Sequence, residues 1–284
     1  MKRLVLFTLL AFLLVGCSEG NKNNKKGDNK QKSPEELFDE GIDYARNNNY
    51  KKAIPLLTEA AEQGFADAHT YLGAIYSEQD NQEKAFYWYL KAAEQGDALA
   101  QCEVARAYIG GISVDANEQE AFKWCKLSAE QDYPEAQFML GVMYGNGMGV
   151  EQNIEEALSW YLEAANNGNT EAMHNIGVIF DAEQDYEEAV KWYSLAAENG
   201  NSSSQFNLGL MYGRGDEIEQ NYNEALRWFK AAAEQGHAEA QFNVGIMYAN
   251  GWGVDKNDDE AFIWFKKAAE QGHETAIEIL KEEE

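Results

Sequence analysis

Cations are scarce in this chain. Its 284 residues hold 23 Lys and Arg against 49 Asp and Glu, a net charge of −26. Nucleic acid is excluded as a partner, because phosphate backbones are gripped by basic patches. Histidine and cysteine are also few, four and three. No H-E-x-x-H, G-x-S-x-G, S-x-x-K or G-x-x-x-x-G-K occurs, so the common zinc-hydrolase, serine-hydrolase and P-loop chemistries have no signature here. His237 and His273 recur 36 residues apart, but two imidazoles without a third ligand do not make a zinc site. Asp255 to Asp259 begins like a calcium loop, yet Glu260 replaces the required Gly and Lys266 the closing Glu. No catalytic residue, metal or cofactor is assigned. Long apolar runs are missing too. The longest, Leu4 to Val15, has 12 residues, short of the roughly 20 that span a bilayer as a helix.

That short run follows Lys2 and Arg3 and ends in Leu14-Val15-Gly16-Cys17. The arrangement resembles a bacterial lipoprotein signal peptide over 1–16, with Cys17 carrying the lipid. Several acyl chains on one cysteine would anchor the protein stably. The resemblance implies the cell envelope, and Ser18 after the cysteine implies the outer membrane on its periplasmic side. From Cys17 to Ser33 there is no large apolar side chain, and five Lys stand against Glu19 and Asp28. A flexible basic tether is expected. Residues 34–284 hold 47 acids and 16 cations, a net −31. That charge favours solubility and a protein or peptide partner that is cationic.

What the chain has in abundance is self-similarity. Trp88, Trp124, Trp160, Trp192, Trp228 and Trp264 stand 36, 36, 32, 36 and 36 residues apart. A small residue recurs at Gly73, Ala105, Gly141, Gly177, Gly209 and Gly245, with an aromatic three residues later. Alanine precedes each Trp by three, from Ala85 to Ala261. Such a period means stacked supersecondary units rather than one globular core. Within a unit, Pro134 to Tyr144 and Ile154 to Asn167 both show helical apolar spacing. Gly145 to Gly149 separates them and Gly168 closes the unit. Each unit therefore reads as helix A, loop, helix B, turn. Helices of this length are marginal alone, so they must bury a face against their neighbours, with the Trp series in the core.

The pattern A-x-x-x-L-G-x-x-Y-x-x-G-x-G-V, then A-x-x-W, then A-A-E-x-G, resembles the Sel1-like repeat, a relative of the tetratricopeptide repeat. It is plainest over 136–168, 172–200, 204–236 and 240–272 and covers nearly all of 34–284. The resemblance implies an all-α fold, an α/α solenoid of about seven helix pairs with a C-terminal capping helix over Glu274 to Lys281. The first pair is degenerate, with Leu56 in place of Trp. The second and fifth lack the glycine loop. One loop departs from the pattern: it carries Arg214-Gly215-Asp216, with Glu217 where Gly149 and Gly253 stand elsewhere.

The resemblance also implies that helices A line a concave wall. Phe38, Thr70, Cys102, Phe138, His174, Phe206 and Phe242 then form an exposed stripe. One turn on come Ile42, Ala74, Arg106, Val142, Val178, Leu210 and Ile246. Packing of the Phe side chains between neighbouring A helices is the competing reading. Cys102 and Cys125 fall on the two helices of one unit. A bridge would contribute about 3 kcal/mol in the loop-entropy model, and cysteine-rich relatives do tie A to B, with cysteines placed elsewhere. Two buried thiols are the other reading. The expected function is a non-enzymatic, lipid-anchored protein-interaction scaffold. Related lipoproteins imply two alternatives: an immunity-type inhibitor of a periplasmic toxin, or an envelope hydrolase acting on β-lactams or cell-wall material.

Overall fold

The computed structural model describes residues 32–215 and 218–282. The proposed signal peptide, Cys17 and most of the tether lie outside the described residues, as do Asp216 and Glu217. The described residues form fifteen helices and no strand. In order they are α1 Pro34–Arg46, α2 Tyr50–Glu62, α3 Ala66–Glu78, α4 Gln82–Ala93, α5 Ala98–Gly110, α6 Glu118–Ala129, α7 Pro134–Asn146, α8 Ile154–Asn166, α9 Thr170–Ala182, α10 Tyr186–Glu198, α11 Ser202–Arg214, α12 Tyr222–Glu234, α13 Ala238–Asn250, α14 Asp258–Glu270 and α15 Glu274–Glu282. None is long and apolar enough to cross a membrane. The helices gather into two compact units, one ending at Asn153 and the other beginning at Ile154. Odd-numbered helices from α1 to α13 are the A helices, even-numbered ones are the B helices, and α15 is the capping helix expected from the sequence.

The helix starts are written in polar side chains. Ser33 and Glu36 form a reciprocal capping box on α1. Asn81, Asp97, Asn117, Asn169, Asp185, Asn201, Asn221 and Asn257 each accept a hydrogen bond from a backbone N–H in the first turn of the helix that follows. The loop glycines do more than end helices. Gly253 has φ +68, and any Cβ there would overlap the Tyr222 carbonyl oxygen at the start of α12. That loop can therefore lie flat on the preceding repeat only as glycine.

Within a pair, the contact that sets the geometry joins the helix A glycine to the residue after the B-helix Trp. A Cβ added at Gly73 would lie 2.6 Å from the Tyr89 ring, one at Gly177 2.6 Å from Tyr193, one at Gly209 2.5 Å from Phe229 and one at Gly245 2.6 Å from Phe265. The same relation holds in the degenerate first pair, where Gly41 faces Leu57 at 2.8 Å. One pair breaks the rule on both sides at once. It has Ala105 on α5 and Cys125 on α6, both fully buried. The added methyl is matched by a smaller partner.

The Trp side chains point elsewhere than the centre of their own pair. Only Trp228 and Trp264 are buried; Trp88, Trp124, Trp160 and Trp192 are half-buried, so the expected all-core series is corrected. The next residue in the helix takes the inner position. Each Trp that falls in a described cluster packs back on the preceding repeat: Trp228 joins Ala189 and Tyr193, and Trp264 joins Ala225 and Phe229. A glutamine relay, which the sequence reading missed, joins three helices. Gln205 Nε2 donates to the Ala197 carbonyl (3.0 Å) at the end of α10, and its Oε1 accepts from Gln235 Nε2 (2.8 Å) at the end of α12. Gln241 with Gln271 and Gln101 with Gln131 repeat it. These buried amides are themselves satisfied by helix-end carbonyls that already accept a turn hydrogen bond, as Ala197 does from the Gly200 N–H (3.0 Å).

The glycine–ring rule is testable where it is broken. Cys125→Tyr should destabilise the protein by about 1–3 kcal/mol, the usual range for overpacking. Adding Ala105→Gly should recover most of that loss. A double-mutant cycle by urea denaturation measures the coupling, which should exceed 0.5 kcal/mol if the two side chains share one space, a threshold typical of contacting residues at about that size.

Candidate interaction face

The A helices carry the residues expected to meet a partner. Thr70 and Cys102 do not belong to an exposed stripe: they are 4% and 0% exposed. Phe38, Phe138, His174, Phe206 and Phe242 are half-buried. Phe206 stacks on His237 (centroids 4.6 Å apart, 20° between planes) and leans on Phe229 at 5.8 Å. Phe242 repeats this with His273 (4.2 Å, 19°) and Phe265 (5.6 Å). Each ring thus sits between its own B helix and the first residue before the next A helix. His174 Nδ1 lies 2.8 Å from Ser204 Oγ, and its ring lies 5.6 Å from Tyr193. Ser204 is fully buried and stands where the other repeats of this unit have alanine, which accounts for the exchange. Phe206 and Phe242 therefore pack on their B helix and the next cap rather than between neighbouring A helices, and His174 is the one of the three that reaches the next A helix.

One turn further on, the outcome differs. Ile42 and Ala74 are buried. Arg106 is exposed but pairs with Glu103 at 3.1 Å. Val142, Leu210 and Ile246 are half-buried, and Val178 is 43% exposed. In the second unit this leaves Val178, Leu210 and Ile246 on three successive A helices as apolar side chains still reaching solvent. The charges on these helices are mostly acidic. Helices α9, α11 and α13 carry Glu171, Asp181 and Glu239, with Arg214 at the end of α11 as their one cation. Three B-helix cations of this unit are locally engaged: Lys191 with Glu187 and Glu188, Arg227 with Glu224, and Lys267 over the Trp264 ring.

The histidines have structural work. His237 Nδ1 accepts from the Ala240 N–H (3.3 Å) and His273 Nδ1 from the Ala276 N–H (3.2 Å), so each caps a helix. His273 Nε2 also lies 3.1 Å from Glu239. Among the described residues, no three His, Cys, Asp or Glu side chains converge as metal ligands. Cys102 and Cys125 are free buried thiols, and no bridge joins them. Cys125 Sγ lies 3.4 Å from the Ala136 carbonyl. Burial pushes the Cys102 thiol up to about 12 and Cys125 higher still. Neither is a nucleophile at neutral pH. Arg214 and Gly215 end α11, while the third residue of that tripeptide lies outside the described residues.

Burial lowers the pKa of His174 and of His237 below the ordinary 6.5. A base whose pKa is depressed by folding binds protons better when unfolded. Its contribution is therefore intact above about pH 6.5 and is lost as pH falls below it. The melting temperature should drop between pH 7 and pH 5. His237→Asn should flatten that drop, because Asn201 shows that asparagine caps the equivalent position. Thermal melts of both proteins across this range check it.

A family model for the Sel1 repeat matches residues 36–65, 66–97, 98–133, 134–169, 170–201, 202–237 and 238–273. Among solved structures, a Sel1 repeat protein from Oxalobacter formigenes is 30% identical, with TM-score 0.76, over 88% of this chain and 76% of its own. The protein c5321, a protective antigen present in uropathogenic Escherichia coli strains, is 28% identical with TM-score 0.57, over 86% of this chain and 63% of its own. The immunity protein Pa5087 from Pseudomonas aeruginosa is 21% identical with TM-score 0.47, over 73% and 82%. No curated protein sequence matches the chain.

Proposed function

The chain belongs to the Sel1 repeat family, and from that premise we propose that it is a non-enzymatic protein-interaction scaffold, tethered to the bacterial envelope by lipid on Cys17, that takes a cationic protein segment on the A helices of its second unit. The observation that carries the reading is the line Val178, Leu210, Ile246. Val178 is 43% exposed, and Leu210 and Ile246 are half-buried side chains that still reach solvent. Apolar anchors flanked by mostly acidic charge suit a peptide or a partner loop that brings cations. Glu171, Asp181 and Glu239 set that sign, so the matching segment places Lys or Arg beside small apolar residues.

A hydrolase finds no support in the residues at hand, since the two thiols are buried and held protonated. The immunity-type reading shares the acidic face and differs only in the identity of what is bound.

The full chain should retain a partner from envelope extracts. A Val178→Asp/Leu210→Asp variant should lose it while keeping its circular dichroism spectrum. Phe206→Ala and Phe242→Ala are unsuitable probes, because those rings are wedged in the fold. Retention by the variant, or turnover of a β-lactam or cell-wall substrate abolished by one substitution, would contradict the proposal.

A further inference from the structure

Outside the A-helix face, one B helix is unlike the others. On α14, Asp259, Phe262, Ile263 and Lys266 are all exposed, Phe262 at 44% and Ile263 at 46%. They stand at i, i+3, i+4 and i+7, which makes them a single stripe down one side of the helix. In two earlier repeats the residue equivalent to Phe262 is covered by the tyrosine of the next A helix. Phe86 lies edge-on to Tyr108 at 6.0 Å, and Phe122 to Tyr144 at 5.3 Å. The place of Ile263 is taken on α4 by Tyr87, which is also exposed, and on later B helices by Lys123, Ser159, Lys191 and Arg227. Only on α14 do two large apolar side chains sit side by side at the surface between an acid and a base.

The order acid, apolar, apolar, base is its own complement. Place a two-fold axis across the helix between Phe262 and Ile263 and the stripe meets itself antiparallel. Asp259 of one copy falls opposite Lys266 of the other, and the reverse, while the four apolar side chains meet at the centre. The two charged residues are seven positions apart, about 10 Å along the axis, so both pairs form at once. The matching stripe on α4 (Glu83, Phe86, Tyr87, Leu90) has no base, and Phe86 is already covered. It cannot pair with itself this way.

We propose that α14 is a homodimer contact, pairing antiparallel with α14 of a second copy of this chain through Phe262 and Ile263, with Asp259 and Lys266 setting the direction. A single pair of 13-residue helices covers less than the roughly 1,200 Å² of a standard stable interface. The association is therefore weak and reversible, and it is isologous, as a two-fold contact requires. It lies on a B helix and leaves Val178, Leu210 and Ile246 free for a partner.

Sedimentation velocity of the full chain over a wide concentration series tests this. Wild type should shift from monomer toward dimer as concentration rises. Ile263→Lys should weaken association at least tenfold with an unchanged far-ultraviolet spectrum. Asp259→Lys alone and Lys266→Asp alone should each weaken it, because both contacts become like-charged. Mixing those two variants should restore dimers, as should combining both substitutions in one chain. A monomer at every concentration would overturn the proposal. So would a dimer that is indifferent to Ile263→Lys, or variants that fail to complement each other.

Discussion

The structure depends on how closely an A helix can approach its B helix. That distance is set by a ring lying where a Cβ would otherwise be, as with Gly177 under Tyr193 and Gly245 under Phe265. A glycine inside a helix costs about 1 kcal/mol relative to alanine. Its recurrence at this place in most A helices is therefore not a local preference. The burial of a large ring against bare backbone offsets that cost. The pair Ala105 and Cys125 supports the same constraint from the other direction, since space added on one helix is removed from the other.

Pairs are then joined in sequence by devices of a different kind. Trp228 and Trp264 reach back to the previous repeat, and glutamines such as Gln205 and Gln241 tie the end of one B helix to the next A helix and to its own B helix. Apolar wedges contribute area and buried amides contribute register. The first A helix has exposed Glu36 and Asp43 where inner repeats place Ala and an aliphatic residue. That polar face needs no preceding repeat.

Much of the fold was legible because it is written in spacing. The helix pairs, the glycine stops between them and the capping helix follow from the period. Side-chain direction was not legible to the same degree. Reading every Trp as a core residue was too broad, since about 100° of helix rotation separates the half-buried Trp192 from the buried Tyr193 and only the tertiary fit decides which faces inward. The expected stripe on the A helices is partly covered for a related reason, with Thr70 and Cys102 buried and its Phe side chains half-buried. Phe206 and Phe242 look free in the sequence because their covers, His237 and His273, lie about thirty residues downstream, past a whole B helix. A signal was available: the two Phe and the two His recur with the same 36-residue interval. The buried Gln series was similarly visible as a repeat, but its partners were not.

These corrections leave the aliphatic line of the second unit as the proposed interaction face, with mostly acidic residues on its helices. They rest on the claim that each pair is organised by its own glycine–ring contact and transmits stability only to its neighbours. Native-state hydrogen exchange on a Gly177→Ala variant tests that claim most directly. The account predicts lost protection in α9, α10 and the adjoining helices, with α1 to α6 unchanged. Loss spread evenly over all helices, or no loss in α9 and α10, would contradict it.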